Sequence, residues 1–329
     1  MLETFFAVLN PMLTLFICIA LGFTLTKTKI LPANSGPTIA KLETWMFAPS
    51  LSFVTMARYC TPKILGENVR LIIISSVFVI AAVFIAIALS HLFVREKSPE
   101  RGIFQYALTF ANHGFLGDPL ILAVFGEEML FYYKLFTFPM YIVTYTWGLS
   151  VIIPTKEKSN PLKKLLNPPL IALCIGMIVG LLGIGDNLPD FMTSTLDSLK
   201  SCMGPLAMIL CGITVARFDI KEMITAKKVY IAAVLRLLII PTCFISALFG
   251  IRALLLSSFG FDIGTDVFYL MLVAYAGPLG LNTVVFPEAY GGDPRTGASM
   301  ALISHTLCVI TIPIVFAILT SLIGAPTIG

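Results

Sequence analysis

Ten long apolar runs organise this 329-residue chain, at about 4–25, 35–57, 70–94, 103–125, 130–153, 169–185, 191–216, 228–256, 266–289 and 296–324. The hydrocarbon core of a bilayer is crossed by roughly 20 helical residues, so each run can span it. None alternates polar and apolar residues as a barrel strand would. In lipid the backbone must satisfy its own hydrogen bonds, which leaves helices. Composition agrees: charged residues are 12% and AVILMFWYC 57%, against about 25% charged in a soluble domain. The chain reads as an all-α integral membrane protein of ten transmembrane helices. Its partner is the lipid bilayer. A net charge of +4 spread over many loops gives no case for nucleic acid.

The start, MLETFF, has no basic region and no small-residue cleavage site. It reads as a retained first span rather than a cleaved leader. The seven cysteines form no CxxC pair and mostly sit inside apolar runs, so they read as small buried apolar side chains. His91, His113 and His305 form no ligand motif. No metal and no cofactor are expected.

Basic residues in short loops set the orientation. With the N-terminus outside, inward loops hold fourteen Lys and Arg, from Lys27 to Arg295. Outward loops hold four: Arg58, Lys63, Arg70 and Arg252. Both termini are therefore expected outside, in the cell (inner) membrane.

The two halves resemble each other. Leu-Asn-Pro at 9–11 recurs at 166–168, and each copy is expected to open a span. Ile30-Leu31-Pro32 answers Asn187-Leu188-Pro189, and Met56-Ala57-Arg58-Tyr59 answers Val215-Ala216-Arg217-Phe218. A repeat with an odd number of spans must insert its second copy upside down, the inverted repeat of secondary transporters. The expected division is 1–154 for the first five helices, a cytoplasmic linker at 155–168, and 169–329 for the second five.

Segments four and nine are the least helical. Segment four carries Asn112-His113-Gly114-Phe115-Leu116-Gly117-Asp118-Pro119, and segment nine carries Gly277, Pro278, Gly280, Asn282 and Thr283. A 164-residue register sets Asp118-Pro119 opposite Asn282-Thr283, and Gly114 opposite Pro278. Helices broken at equivalent places in two halves point to a transporter's binding site, and half-helix N-termini aim partial positive charge into the gap. Kinks that serve only helix packing are the plainer reading.

The substrate-contact candidates are Asn112, Gly114, Pro119, Pro278, Asn282 and Thr283. The two Asn side chains could hold a carboxylate or satisfy the broken backbone. Asp118 could carry a coupling proton or cap a half-helix. His113 reads first as a packed polar residue, and Arg236 as an anion attractor or as a snorkelling or paired cation. Asp197 and Lys200 are spaced for an ion pair. Lys41 and Glu43 read as interface anchors.

Segment four's Asn-x-Gly-Phe-Leu-Gly-x-Pro, segment nine's Gly-Pro-Leu-Gly-Leu-Asn-Thr-Val-Val-Phe, and the Arg-Leu-Leu-Ile-Ile-Pro of segment eight resemble the auxin efflux carrier family. That family includes bacterial malate- and malonate-type permeases and the plant auxin exporters. The resemblance covers essentially the whole chain. It implies two inverted five-helix repeats with crossed broken helices four and nine. It maps the family's crossover Asn onto Asn112 and Asn282, and its Pro onto Pro119 and Pro278. Asp118 departs from the family, in which that position is commonly apolar.

The resulting expectation is no enzyme, but a secondary active transporter of a small organic anion, a carboxylate, working by alternating access. Coupling to H+ or to Na+ is open, and a homodimer is compatible. No G-x-x-x-x-G-K-[ST] string is present, which disfavours ATP as the driver within this chain. The alternatives are an anion channel, a receptor that binds without transport, and an intramembrane aspartyl protease. The protease would need a second membrane Asp near Asp118.

Overall fold

The computed structural model describes residues 2–32, 34–152, 166–290 and 293–325, with the side chains of Asp186, Val285, Glu288, Ala289 and Tyr290 left aside. The helices are α1 (Leu2–Lys27), α2 (Ser35–Leu42), α3 (Ala48–Tyr59), α4 (Pro62–Ser90), α5 (Pro99–Thr109), α6 (Asp118–Val143), α7 (Leu149–Ile152), α8 (Pro168–Leu181), α9 (Asp190–Ala216), α10 (Ile220–Ile224), α11 (Lys227–Val234), α12 (Ile240–Phe259), α13 (Asp266–Ala276), α14 (Asn282–Tyr290) and α15 (Arg295–Ile323). Among the described residues six helical stretches are long and apolar enough to cross a membrane: Leu2–Lys27, Pro62–Ser90, His113–Ile152, Asp190–Ala216, Lys227–Phe259 and Arg295–Ile323. Pro168–Leu181 and Asp266–Ala276 are shorter apolar helices. Most of the proposed linker, 155–165, lies outside the described residues.

Local chemistry sets several helix starts. Thr61, Ser98 and Asn167 each accept a backbone N–H with the side chain, and each is followed by a Pro that opens the helix. The cap satisfies an orphan donor, and the Pro has none to lose. Between α5 and α6 the chain needs no such stop, because the interruption is built by tertiary pairing. The turn at Gly126 has φ 84°, a left-handed value that glycine adopts without a Cβ clash, and it reverses the chain within α6.

Apolar side chains are distributed as lipid solvation requires. Ile17, Phe84, Ile178, Leu254 and Ile310 lie exposed along helix faces, while α13 is buried along its whole length. Close helix contacts use small residues. Gly22 and Gly212 sit against the backbones of α9 and α1, and Gly176 and Gly180 against the backbone of α3.

Three sequence expectations need correction. Only Cys60, Cys211 and Cys308 are buried; Cys174 and Cys243 are exposed and Cys18 and Cys202 half-buried, because an apolar residue facing lipid need not be buried in protein. Pro168 does open its helix, but Pro11 lies inside α1. Glu43 is no interface anchor: it is fully buried, in a wide π-turn that joins α2 to α3.

Candidate functional site

The two interrupted helices meet backbone to backbone. Phe110 ends α5 in extended conformation, and Gly277 ends α13 in the same way. Ala111 and Leu279 then form an antiparallel bridge. The Asn112 N–H donates to the Pro278 carbonyl at 2.8 Å, and the Leu279 N–H donates to Ser304 Oγ at 3.0 Å. Backbone groups left over by the breaks are thus satisfied inside the protein, as membrane depth demands. Asp118 and Asn282, which the 164-residue register sets opposite each other, open the α-helices that follow the two breaks. The first break falls ahead of Gly114 and Pro119. A π-turn at His113–Gly117 leads straight into α6, which places Asp118 past the start of the half-helix.

Arg236 explains how the carbonyl ends of these half-helices are tolerated. It is fully buried. Nη1 donates to the carbonyls of Leu108 at 3.0 Å and Thr109 at 3.2 Å, and Nη2 to that of Ala274 at 3.4 Å. The guanidinium also lies over the Tyr275 ring at 5.4 Å. One cation therefore serves the C-terminal ends of α5 and α13, where the helix dipole concentrates negative charge. These contacts are of the structural-pairing kind.

The opposite ends, the N-termini of the two following half-helices, border a cavity of about 60 Å³. By the same measure a water takes about 10–15 Å³, so the space suits a ligand of a few non-hydrogen atoms. Its walls include Asn112, His113, Gly114, Asn282, Lys134, Tyr141, Tyr145 and Thr44. Asn112 Nδ2 lies 3.1 Å from His305 Nε2, and Asn282 Nδ2 donates to the Tyr106 hydroxyl at 2.9 Å. An amide nitrogen has two N–H groups, so each Asn keeps one donor free. His113 Nδ1 lies 3.1 Å from the Ala111 carbonyl. Nδ1 must then carry the proton, which makes Nε2, unpartnered and buried, an acceptor.

Lys134 is the residue that sequence reasoning missed. It is buried and forms an ion pair with Asp118. Its Nζ lies 3.5 Å from the Tyr141 hydroxyl. An ammonium has three donors, so one remains for the cavity. The signal was present: Lys134 is the only Lys or Arg between Arg101 and Lys156. His305 and Tyr106, which hold the two Asn side chains, were missed as well.

Other candidates lie apart from the cavity. Pro119 packs against Gly204 of α9, where an added Cβ would come to 3.0 Å. Pro278 contributes its carbonyl to the bridge. Thr283 is buried and donates its hydroxyl to the Gly280 carbonyl at 2.8 Å. Asp118 meets the site through Lys134 and Tyr141, both of which wall the cavity.

Among the described residues four π-turns occur: Glu43–Phe47, His113–Gly117, Thr144–Gly148 and Leu235–Ile239. Three supply cavity walls and the fourth carries Arg236. Such wide turns gather at functional sites because they re-aim side chains within a continuous helix.

A second, larger cavity of about 820 Å³ opens at one end of the bundle, between Glu100, Phe104, Arg217, Lys228, Pro287 and Arg295 among others. Phe286 packs 5.9 Å from the Tyr106 ring and 6.0 Å from the Tyr145 ring.

Residues 7–316 match the family described as membrane transport protein. The chain is also 23% identical over 310 residues to an uncharacterized transporter, MJ1031, of Methanocaldococcus jannaschii. That alignment covers 92% of this chain and 96% of the relative.

Proposed function

The chain belongs to the membrane transport protein family, the auxin efflux carrier family that its motifs resemble, and we propose that it is a secondary carrier of a small organic anion, a carboxylate. The family is one of transporters, not of enzymes, and the chain is a multi-pass membrane protein. The observation that carries the anion reading is the sign of the cavity. Two half-helix N-termini, two free amide donors and one Lys134 donor face it, while Arg236 cancels the opposite helix ends. Oriented donors of this kind favour an anion without burying a full uncompensated positive charge.

Packing supports ten spans in two inverted halves. On the repeat alignment spans one and two correspond to six and seven. In contact terms α1 packs along α9, and α3 packs along α8, so one pairing is the image of the other under exchange of the halves. Arg58, Glu127, Asp197 and Lys200 join in one network, with Arg58–Asp197 at 2.7 Å and Lys200–Glu127 at 2.6 Å. All four belong to the end that the charge bias assigns to the outside. The larger cavity belongs to the other end, where a carrier in the inner membrane would open to the cytoplasm.

The test is uptake by purified protein in liposomes, with a panel that includes malonate and malate, under separate proton, sodium and voltage gradients. Saturable uptake of one or more members is expected. Conductance that rises without saturation would instead identify a channel.

A further inference from the structure

Glu43 is fully buried, and neither carboxyl oxygen has a hydrogen-bond partner. It lies about 12 Å along the helix from its start at Ser35, given a rise of 1.5 Å per residue. It opens the π-turn whose next residue, Thr44, walls the crossover cavity. Ile39 and Ala40, one turn earlier on the same face, pack against Leu210 and Cys211 of α9, Leu281 of the crossover loop and Ala301 of α15. The carboxyl is therefore set in an apolar seam beside the crossover.

The π-turn is packed by α2, α3, α8 and α9. Of their ionisable groups, Lys41, Cys174 and Asp190 are exposed. Arg58, Asp197 and Lys200 are engaged with one another and with Glu127. Tyr59 packs on Phe131, and the Cys202 thiol lies 3.5 Å from the Ser198 carbonyl. The Cys211 thiol shares the seam with Ile39 and Ala40. No charge among these groups compensates a carboxylate at Glu43. An isolated buried carboxylate is so costly that the group takes a proton instead.

We propose that Glu43 is a proton-binding site, occupied in this conformation and emptied when the seam between α2 and the crossover loop opens, and that its proton is the one coupled to transport. The step is a plain acid dissociation: the O–H bond of the carboxyl breaks and the proton passes to water. This rests on the carrier reading above, because coupling requires a cycle that alternately buries and exposes the site. A proton lost on one side of the membrane and regained on the other ties the substrate cycle to the pH gradient.

Infrared spectra of the purified protein in nanodiscs at neutral pH test the occupied state without any substrate. A protonated-carboxyl stretching band is expected in the wild type and lost in Glu43→Gln, which keeps the shape and removes the titration. In liposomes, malonate and malate uptake by Glu43→Gln should no longer change when a pH gradient is imposed, whereas wild-type uptake should. A spectrum with no such band at neutral pH, or a Glu43→Gln protein with the full wild-type response to the pH gradient, overturns the proposal. If the wild type moves neither anion, the carrier reading fails on that result, and the infrared band alone then decides whether Glu43 holds a proton.

Discussion

Lys134 is paired with Asp118 across the reversal at Gly126, with both side chains buried and the ammonium at the wall of the crossover cavity. Removing one partner of such a pair leaves an uncompensated buried charge, which costs about 3–5 kcal/mol. Lys134→Ala should therefore fold poorly. The double change Asp118→Asn with Lys134→Gln removes both charges at nearly constant shape. It should recover wild-type thermal stability and still lose transport. Recovery of stability together with wild-type transport would make the pair purely structural.

Arg236 gives a contrasting expectation. Its partners are backbone carbonyls and the Tyr275 ring, so its loss should act on stability ahead of affinity. Hydrogen bonds to a charged group contribute about 1.5–3 kcal/mol. Arg236→Lys keeps the charge and loses the fork that spans two helix ends, so its melting temperature should fall clearly below that of wild type. An unchanged melting temperature would show that the half-helix ends do not need the guanidinium.

Gly117 lies against Tyr133, whose hydroxyl donates to the His113 carbonyl at 3.1 Å. A Cβ at 117 would overlap that hydroxyl. Gly117→Ala should be destabilised, and adding Tyr133→Phe should restore part of the loss. If the second change makes matters worse by the full amount of its own effect, the two residues do not meet.

Asp262, in the loop between α12 and α13, is held below the usual carboxylate range by two 2.7 Å hydrogen bonds from Arg252 and one from the Gly264 N–H. A carboxyl with a depressed folded pKa stabilises the fold above its unfolded value of about 3.9, and the contribution disappears as pH falls through the folded value. The pair is partly exposed, so the effect should stay below about 1 kcal/mol and shrink in salt. Asp262→Asn should flatten the acid limb of a melting-temperature-against-pH curve and change it little near neutrality. A difference that appears only above neutral pH would contradict this assignment.

The presence of the crossover was legible in the sequence, and so was its position in segment nine, at Gly277, Pro278 and Gly280, whereas in segment four the break begins ahead of the marked stretch. Gly and Pro mark the disturbed stretches, but the break before Asn112 uses Phe110 and Ala111, which carry no breaking signal. Their extended backbone exists because 278–280 pair with it, a partner more than 160 residues away in sequence. Asn112 and Asn282 could be picked out as polar groups at depth, while their anchors His305 and Tyr106 lie on other helices. Lys134 escaped notice because the reversal at Gly126 folds it back onto Asp118. Glu43 was read from its neighbour Lys41, when the apolar positions Ile39, Ala40 and Phe47 on its own face already signalled burial.

The central claim is that the crossover cavity binds the transported anion. Its most direct test is the half-saturation concentration of malonate or malate uptake, measured alongside the melting temperature for wild type and Asn282→Ala. Asn282 is half-buried and keeps one donor for the cavity. Losing one hydrogen bond to a charged ligand costs about 1.5–3 kcal/mol, roughly a tenfold to hundredfold weakening. The account predicts that rise in half-saturation with a melting temperature close to wild type. Unchanged half-saturation in a folded Asn282→Ala protein would contradict it.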